Sequence, residues 1–220
     1  MKIKICLLLK KGKKFNEKII RYFKNKNVSK DVFLGKVGDK IPEKIKKKKY
    51  DIIVSYLSPW VLNDKILKKT NMYNINFHPG SPKYPGIGCF NFAILKNEKK
   101  YGVTMHLMNK KVDSGKIIKV KYFSSKNLSL LNLINKSYEH MYKLFVQEMN
   151  YFFKNKNFKF SKEKWKRKAY RRIDLNNLCK LSLKMGRKKF IQRLKAVYHP
   201  DYSPPYFLIK GKKFLVIPSP

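Results

Sequence analysis

Short apolar runs alternate with amphipathic stretches from the N-terminus to Phe123, the pattern of strands and helices taken in turn. Ile3 to Leu9 predicts a buried strand, and Phe15, Ile19, Ile20 and Phe23 then recur at helical spacing. Asp31 to Val37 predicts a second strand, and Ile41 to Lys48 at most a short basic helix. Asp51 to Tyr56 (DIIVSY) is almost wholly apolar, as strands covered on both faces of a parallel sheet are. Trp60 to Leu67 suits a helix and Tyr73 to His78 a strand. A turn-rich loop runs from His78 to Gly88, then a helix near Asn91 to Leu95 and strands at Gly102 to Met108 and Lys116 to Phe123. Repetition at this pitch predicts an α/β fold: an open, mostly parallel sheet flanked by helices, with right-handed crossovers.

Leu128 to Phe153 predicts one long amphipathic helix, followed by a link rich in Lys, Asn and Phe. Asp174 can cap a helix running to Leu181, and Gly186 to Tyr198 carries another. Tyr206 to Ile209 and Lys213 to Ile217 flank Lys210–Gly211–Lys212 as a β-hairpin. The expected organisation is a catalytic domain over 1–125, the long helix and its link over 126–160, and a small C-terminal helix and β-hairpin appendage over 161–220.

Charge changes this picture less than its size promises. The 220 residues carry 53 Lys+Arg against 13 Asp+Glu, a formal charge of +40 that invites a polyanionic partner. Almost all of it is lysine, spread along the chain. The arginines, whose planar forks grip phosphates in pairs of bonds, are confined to Arg21, Arg167, Arg171, Arg172, Arg187 and Arg193. Asn, Ile, Phe and Tyr are abundant too and share A/T-rich codons with Lys, so genome bias accounts for the lysines and a nucleic-acid partner is not expected. No apolar run approaches the roughly 20 residues of a membrane span, and Ile5 to Leu9 is too short for a signal-peptide core. Cys6, Cys89 and Cys179 are widely spaced and in no ligand pattern. These features predict a cytoplasmic protein with no membrane partner, no disulfide framework and no metal.

The first strand is not followed by Gly-x-Gly-x-x-Gly, and no Walker sequence occurs, so the chemistry sits elsewhere. In YNINFHPGSPKYPGIG, Asn76 and His78 are two residues apart on one strand and share a face. Both lie at the strand's carboxyl end, where open α/β sheets bind ligands. Gly80, Gly86 and Gly88 in the following loop allow a ligand close to the backbone. Asp113 comes next, in Val112–Asp113–Ser114–Gly115. A neutral imidazole, an amide and a carboxylate brought together can run acyl transfer to an amine. The imidazole takes the proton of the attacking nitrogen, the carboxylate supports the imidazolium, and the amide donates to the oxyanion. On spacing alone, the same residues also suit hydrogen-bonded core positions and, for Asp113, a turn former. His106 reads as a packed or edge histidine, His140 and His199 as surface or structural ones, and Cys89 lacks a paired base.

Several motifs in one order carry a resemblance. Asn76–Phe77–His78, the Pro/Gly-rich loop, Tyr101–Gly102–Val103–Thr104–Met105–His106 and Asp113–Ser114–Gly115–Lys116–Ile117–Ile118 resemble the folate-dependent formyltransferases. The resemblance implies a Rossmann-like formyltransferase sheet, with His78 as general base, Asn76 as oxyanion donor and Asp113 as the carboxylate behind His78. Asp51 to Leu62 is similar to the segment that holds N10-formyltetrahydrofolate as co-substrate, which implies contacts from Ser55, Tyr56, Leu57, Trp60, Val61 and Leu62. Members of the family often carry Ser-Leu-Leu-Pro after the histidine, where this chain has Pro79–Gly80–Ser81–Pro82.

The tail bears on the acceptor. Too little chain follows the long helix for the β-barrel of the tRNA enzymes. Trp165–Lys166–Arg167–Lys168, Arg171–Arg172–Ile173, Arg193–Leu194–Lys195–Ala196 and the closing hairpin look like the tail of sugar-nucleotide N-formyltransferases of the GDP-perosamine type. That likeness implies a nucleotide-linked amino sugar as acceptor, of the 4-amino-4,6-dideoxyhexose class, held by Gly80, Ser81, Tyr84, Gly86, Gly88, Arg167, Arg171 and Arg172. These arginines also suit a solvated helix surface. A methionyl-tRNA or glycinamide ribonucleotide acceptor is the alternative, and a non-catalytic basic nucleic-acid-binding protein a remote one. The hairpin's free edges imply a homodimer.

Overall fold

β1 (Ile3–Lys10) is interior to its sheet, because every residue from Ile5 to Leu9 is fully buried and a strand apolar on both faces must be covered on both. The computed structural model describes residues 2–217. Six strands form one sheet in the order β2 (Val28–Gly35), β1, β3 (Ile52–Tyr56), β4 (Tyr73–His78), β5 (Lys100–Leu107) and β6 (Ile117–Ser124). The first four run parallel, and β5 and β6 are antiparallel. The fold is therefore the open, mostly parallel α/β sheet that the alternation predicts.

Alternate residues of β1 feed two cores. Ile5, Leu7 and Leu9 pack towards α1 (Asn16–Tyr22) and the long α5 (Leu130–Asn155), while Cys6 and Leu8 pack towards α2 (Glu43–Lys47) and α3 (Asp64–Leu67). Ser129 caps α5, its hydroxyl accepting from the Asn132 N–H at 3.2 Å. Leu133, Met141, Leu144, Phe145, Met149 and Phe152 repeat at helical spacing on its buried face. Fully burying one such side chain contributes roughly 1.5–3 kcal/mol, so this helix is part of the main core.

Two predicted elements differ. Trp60 to Leu67 is helical only from Asp64, where Asn63 Oδ1 accepts from the Ile66 N–H at 3.1 Å. The tertiary reason is Trp60, whose indole lies over Gly35 and donates from Nε1 to the Asp39 carbonyl at 3.0 Å. Asp174 is not the N-cap of α6 (Arg172–Cys179) but its third residue, and its carboxylate accepts from the Arg171 N–H at 2.7 Å. α4 (Cys89–Leu95), α7 (Arg187–Val197) and the hairpin β7 (Tyr206–Ile209) and β8 (Lys212–Leu215) fall within a few residues of expectation.

Candidate active site

β4 delivers its side chains alternately. Phe77 packs into the core against Phe145, with ring centroids 5.5 Å apart, while Asn76 and His78 line a cavity at the carboxyl ends of the parallel strands. Asp113, on the loop between β5 and β6, is brought to them with four partners. Its Oδ2 accepts from the Gly86 N–H at 2.7 Å and meets His78 Nδ1 at 3.0 Å. Its Oδ1 lies 3.2 Å from His106 Nε2 and 3.3 Å from Asn76 Nδ2. Burial alone would push this carboxyl's pKa up; the charge on His78 and the bonds from His106 and His78 outweigh that and hold it well below the usual carboxylate range.

His78 has two acceptors. Its Nδ1 faces the Asp113 carboxylate and its Nε2 lies 2.9 Å from the Tyr84 carbonyl, which can only accept. Hydrogen on both nitrogens satisfies both acceptors, so this arrangement favours the imidazolium. Burial opposes that charge; the adjacent carboxylate, its hydrogen bond and the Tyr84 carbonyl prevail and raise the ring's pKa. The sequence predicts a neutral imidazole; the two acceptors around His78 favour the charged form.

His106 belongs to the site, which its sequence position did not reveal. The antiparallel register of β4 and β5 sets it directly opposite Asn76. Its Nδ1 meets the Leu107 carbonyl at 2.8 Å, and its Nε2 lies between Asp113 Oδ1 at 3.2 Å and Asn76 Nδ2 at 3.0 Å. Asn76 Oδ1 in turn accepts from Ser55 Oγ at 2.7 Å. The amide is oriented by both neighbouring strands, and its 3.3 Å bond to Asp113, beyond the normal range, is the one a substrate oxygen can replace.

The cavity has a volume of about 620 Å³, within the range of small-molecule sites. Val37, Leu57, Trp60, Val61 and Leu62 give its wall an apolar part, and Lys10, paired with Gly35 of β2, also lines it. Beside the loops that follow β4 and β5 it is basic, with Lys111, Arg171 and Arg172. Gly86 joins the two loops to the tail. It has φ 86°, pairs with Tyr170, and a side chain there would strike the Tyr170 backbone.

Residues 9–147 match the formyl transferase family. The chain belongs to that family. Folate-dependent formyl transfer is the family's activity, so the protein is an enzyme. Over 76 residues it is 41% identical to the bifunctional polymyxin resistance protein ArnA of Wigglesworthia glossinidia brevipalpis, a match covering 34% of this chain and 12% of that protein. Its fold is that of a sugar N-formyltransferase from Shewanella sp. FDAARGOS_354, with TM-score 0.81, 22% identity and 100% and 98% of the two chains covered. The fold is shared too with the N-formyltransferase of Helicobacter canadensis, solved with folinic acid and dTDP-3-aminofucose, at TM-score 0.73, 20% identity and 96% and 86% coverage.

In this formyltransferase, eleven of the residues singled out from sequence line the cavity: Ser55, Leu57, Trp60, Val61, Leu62, Asn76, His78, Gly86, Asp113, Arg171 and Arg172. The others do not. Tyr56, one residue out of phase with Ser55, is buried against Phe77 and Phe145. Gly80 leaves room for the His78 ring, which a side chain there would strike. Ser81 is buried, and Gly88 precedes α4 and packs near Leu175. The Tyr84 ring is buried, and its hydroxyl donates to Glu98 at 2.8 Å, anchoring the loop rather than a ligand. Arg167 lies over one face of Tyr170 at 3.3 Å from the ring centroid, the other face being stacked on Phe92. Cys89 is buried, which pushes its thiol up to about 12 and agrees with its rejection as a nucleophile.

Proposed function

We propose that this formyltransferase moves the formyl group of N10-formyltetrahydrofolate to the amino group of a nucleotide-linked amino sugar, of the 4-amino-4,6-dideoxyhexose type. The observation that carries this reading is one cavity lined by the apolar Trp60, by two arginines, Arg171 and Arg172, and by His78 and Asp113. The apolar wall suits a flat conjugated ring. Residues 57–62 form no helix or strand, so their backbone donors and acceptors remain outside the regular ladders. The guanidinium groups suit a diphosphate. The ligands of the Helicobacter canadensis enzyme, folinic acid and a dTDP-linked amino sugar, are of the same two classes.

N10-formyltetrahydrofolate supplies the formyl group. The protein's part is to meet the negative charge that develops on the formyl oxygen and to move one proton. Asn76 Nδ2 offers a hydrogen to that oxygen, its orientation held by Ser55 and His106. His78 carries at Nε2 the hydrogen that meets the Tyr84 carbonyl at rest, and it delivers this hydrogen to the departing nitrogen by giving up that bond. It can then take the proton that the acceptor amine sheds, restoring its resting state. Asp113 supports the charge throughout.

Neutralising the two arginines (Arg171→Gln with Arg172→Gln) is expected to raise the acceptor KM about tenfold or more with kcat little changed, because they grip a part that keeps its charge during transfer. A panel of GDP- and dTDP-linked 4-amino sugars, charged initiator tRNA and glycinamide ribonucleotide, each offered with N10-formyltetrahydrofolate, tests the acceptor. Formylation of tRNA or of glycinamide ribonucleotide alone would remove the sugar reading.

Among the described residues no helix is long and apolar enough to cross a membrane, and no group of side chains is placed to hold a metal ion. The cytoplasm is the proposed location, and residues 161–220 the proposed acceptor-facing part. We also propose a homodimer through the hairpin, where Leu208, Ile209, Phe214 and Leu215 stand exposed. Light scattering is expected to give twice the chain mass, falling to one chain in Phe214→Lys; a monomer at high concentration would overturn it.

A further inference from the structure

The segment from Ser161 to Arg172 is a strap that ties both catalytic loops together. Its Ser161 N–H bonds the Ile117 carbonyl at 3.0 Å, and its Glu163 accepts from Tyr122 Oη at 2.5 Å, fixing one end on β6. The Lys166 and Tyr170 N–H groups bond the Pro82 and Pro85 carbonyls, each at 2.9 Å, and the Ile87 N–H bonds the Tyr170 carbonyl at 2.9 Å. The strap thus holds the loop whose Tyr84 carbonyl meets His78 and whose Gly86 N–H meets Asp113. Trp165 lies between these anchor points. Its Nε1 donates to the Gly115 carbonyl at 2.8 Å, two residues from Asp113. Its ring centroid is 5.0 Å from that of His106 at 90°, and 5.9 Å from that of His78 at 67°.

We propose that Trp165 is a positioning residue, holding the two imidazoles and the Asp113 loop in register. The proposal rests on the reading of His78 and Asp113 as the proton-carrying pair, but not on which acceptor is used. Three links converge on one side chain: an edge contact to each histidine and a hydrogen bond to the loop of the carboxylate between them. Trp165 is not among the residues lining the cavity, so its action runs through the histidines and the Asp113 loop. Its ring excludes water from the back of the His106–Asp113–His78 cluster, where screening would weaken the attraction between carboxylate and imidazolium. Edge-to-face aromatic pairs at these separations are favourable and directional, so they also limit rotation of the rings about χ2. Asp113 and the two histidines are the titratable groups that meet within this cluster, and the Tyr84 and Leu107 carbonyls face them as neutral acceptors.

The test uses Trp165→Leu and Trp165→Phe in the full chain. In the wild type the two ring N–H groups of His78 are expected to give slowly exchanging imidazole proton signals in nitrogen-resolved NMR at neutral pH, assigned by their loss in His78→Asn. In Trp165→Leu these signals are expected to exchange with water at least fivefold faster. Over the same change kcat falls ten- to a hundredfold, and both KM values stay within twofold. The NMR measurement needs no substrate, so a wrong acceptor would show as failed turnover while leaving it intact. Should the leucine chain not fold, Trp165→Phe carries the test. It keeps a ring against the histidines but loses the bond to Gly115, and a smaller acceleration of exchange with an intermediate kcat is expected. Wild-type exchange and kcat in a folded variant would overturn the proposal. So would a loss residing in KM, which would make Trp165 a wall of the substrate site.

Discussion

His78→Ala is expected to lower kcat by about 10²–10⁴-fold while the melting transition stays cooperative, the loss typical of a removed proton-transfer group. Of the groups in the catalytic cluster, His78 is the one proposed to give and retake a proton. Asp113 is held ionised by its four partners, and the Arg171 and Arg172 guanidinium groups do not deprotonate. His106 has Nδ1 against the Leu107 carbonyl and Nε2 between Asp113 and the amide of Asn76. Folding is expected to survive, because the site lies at the end of β4 and the core residue beside it is Phe77. Wild-type turnover in His78→Ala would mean that the proton takes another route.

Asp113→Asn is expected to cost about 10²–10³-fold in kcat with the fold retained, and to change how stability responds to pH. The amide can still accept from the Gly86 N–H, but it offers His78 no charge. The ring then keeps a hydrogen on Nε2 for the Tyr84 carbonyl and becomes neutral, with no spare proton. His78 has a raised pKa in the folded chain, so its contribution to stability is fully present below the unfolded value near 6.5. That contribution is lost as pH rises through the folded value. Asp113 is depressed, so its contribution is present above the unfolded value near 3.9 and lost only as pH falls through the folded one. The wild-type melting temperature is therefore expected to decline above about pH 6.5, and Asp113→Asn to abolish that decline. Melting curves between pH 5 and 9 check it; a slope surviving in Asp113→Asn would show that His78's charge has another source. Asp113→Ala leaves the imidazolium without its partner and is expected to destabilise by roughly 3–5 kcal/mol, as breaking a buried pair does.

Electrostatics in this molecule is local. The formal charge of +40 is carried mostly by lysines outside the catalytic cluster, where a carboxylate and an imidazolium stand 3.0 Å apart and nearly buried. Surface charge at that density acts through screened, long-range fields, whereas the buried pair acts at contact distance in a poorly screened interior.

Much of the fold was legible because its signals are local. β4 begins and ends at Tyr73 and His78 as the apolar alternation predicts, and β1 and β3 depart by one residue. Asn76, His78 and Asp113 could be singled out because two lie on one strand face and the third sits in a motif of its own. Local signals failed where a distant partner took over. Trp60 favours a helix by pattern, yet its indole is held at Gly35 and Asp39, so the helix starts at Asp64. His106 was readable only as a packed strand histidine, because its partner Asn76 is set by the β4–β5 register. Register between strands far apart in sequence leaves no mark in either strand alone.

The same division holds for function. The sequence by itself determined the alternating sheet, the strand that ends in Asn76 and His78, and membership of a formyl-transferring family, since strand period, turn chemistry and motif order are properties of adjacent residues. Only the tertiary structure decided which residues meet. It put Arg171 and Arg172 among the residues lining the cavity and laid Arg167 over Tyr170. It made Tyr84 a loop anchor, gave Asp113 four partners and laid Trp165 against two histidines. The physical reason is range. A side chain's secondary structure follows from neighbours a few residues away, but its charge state and contacts follow from whatever the folded chain brings within a few ångströms.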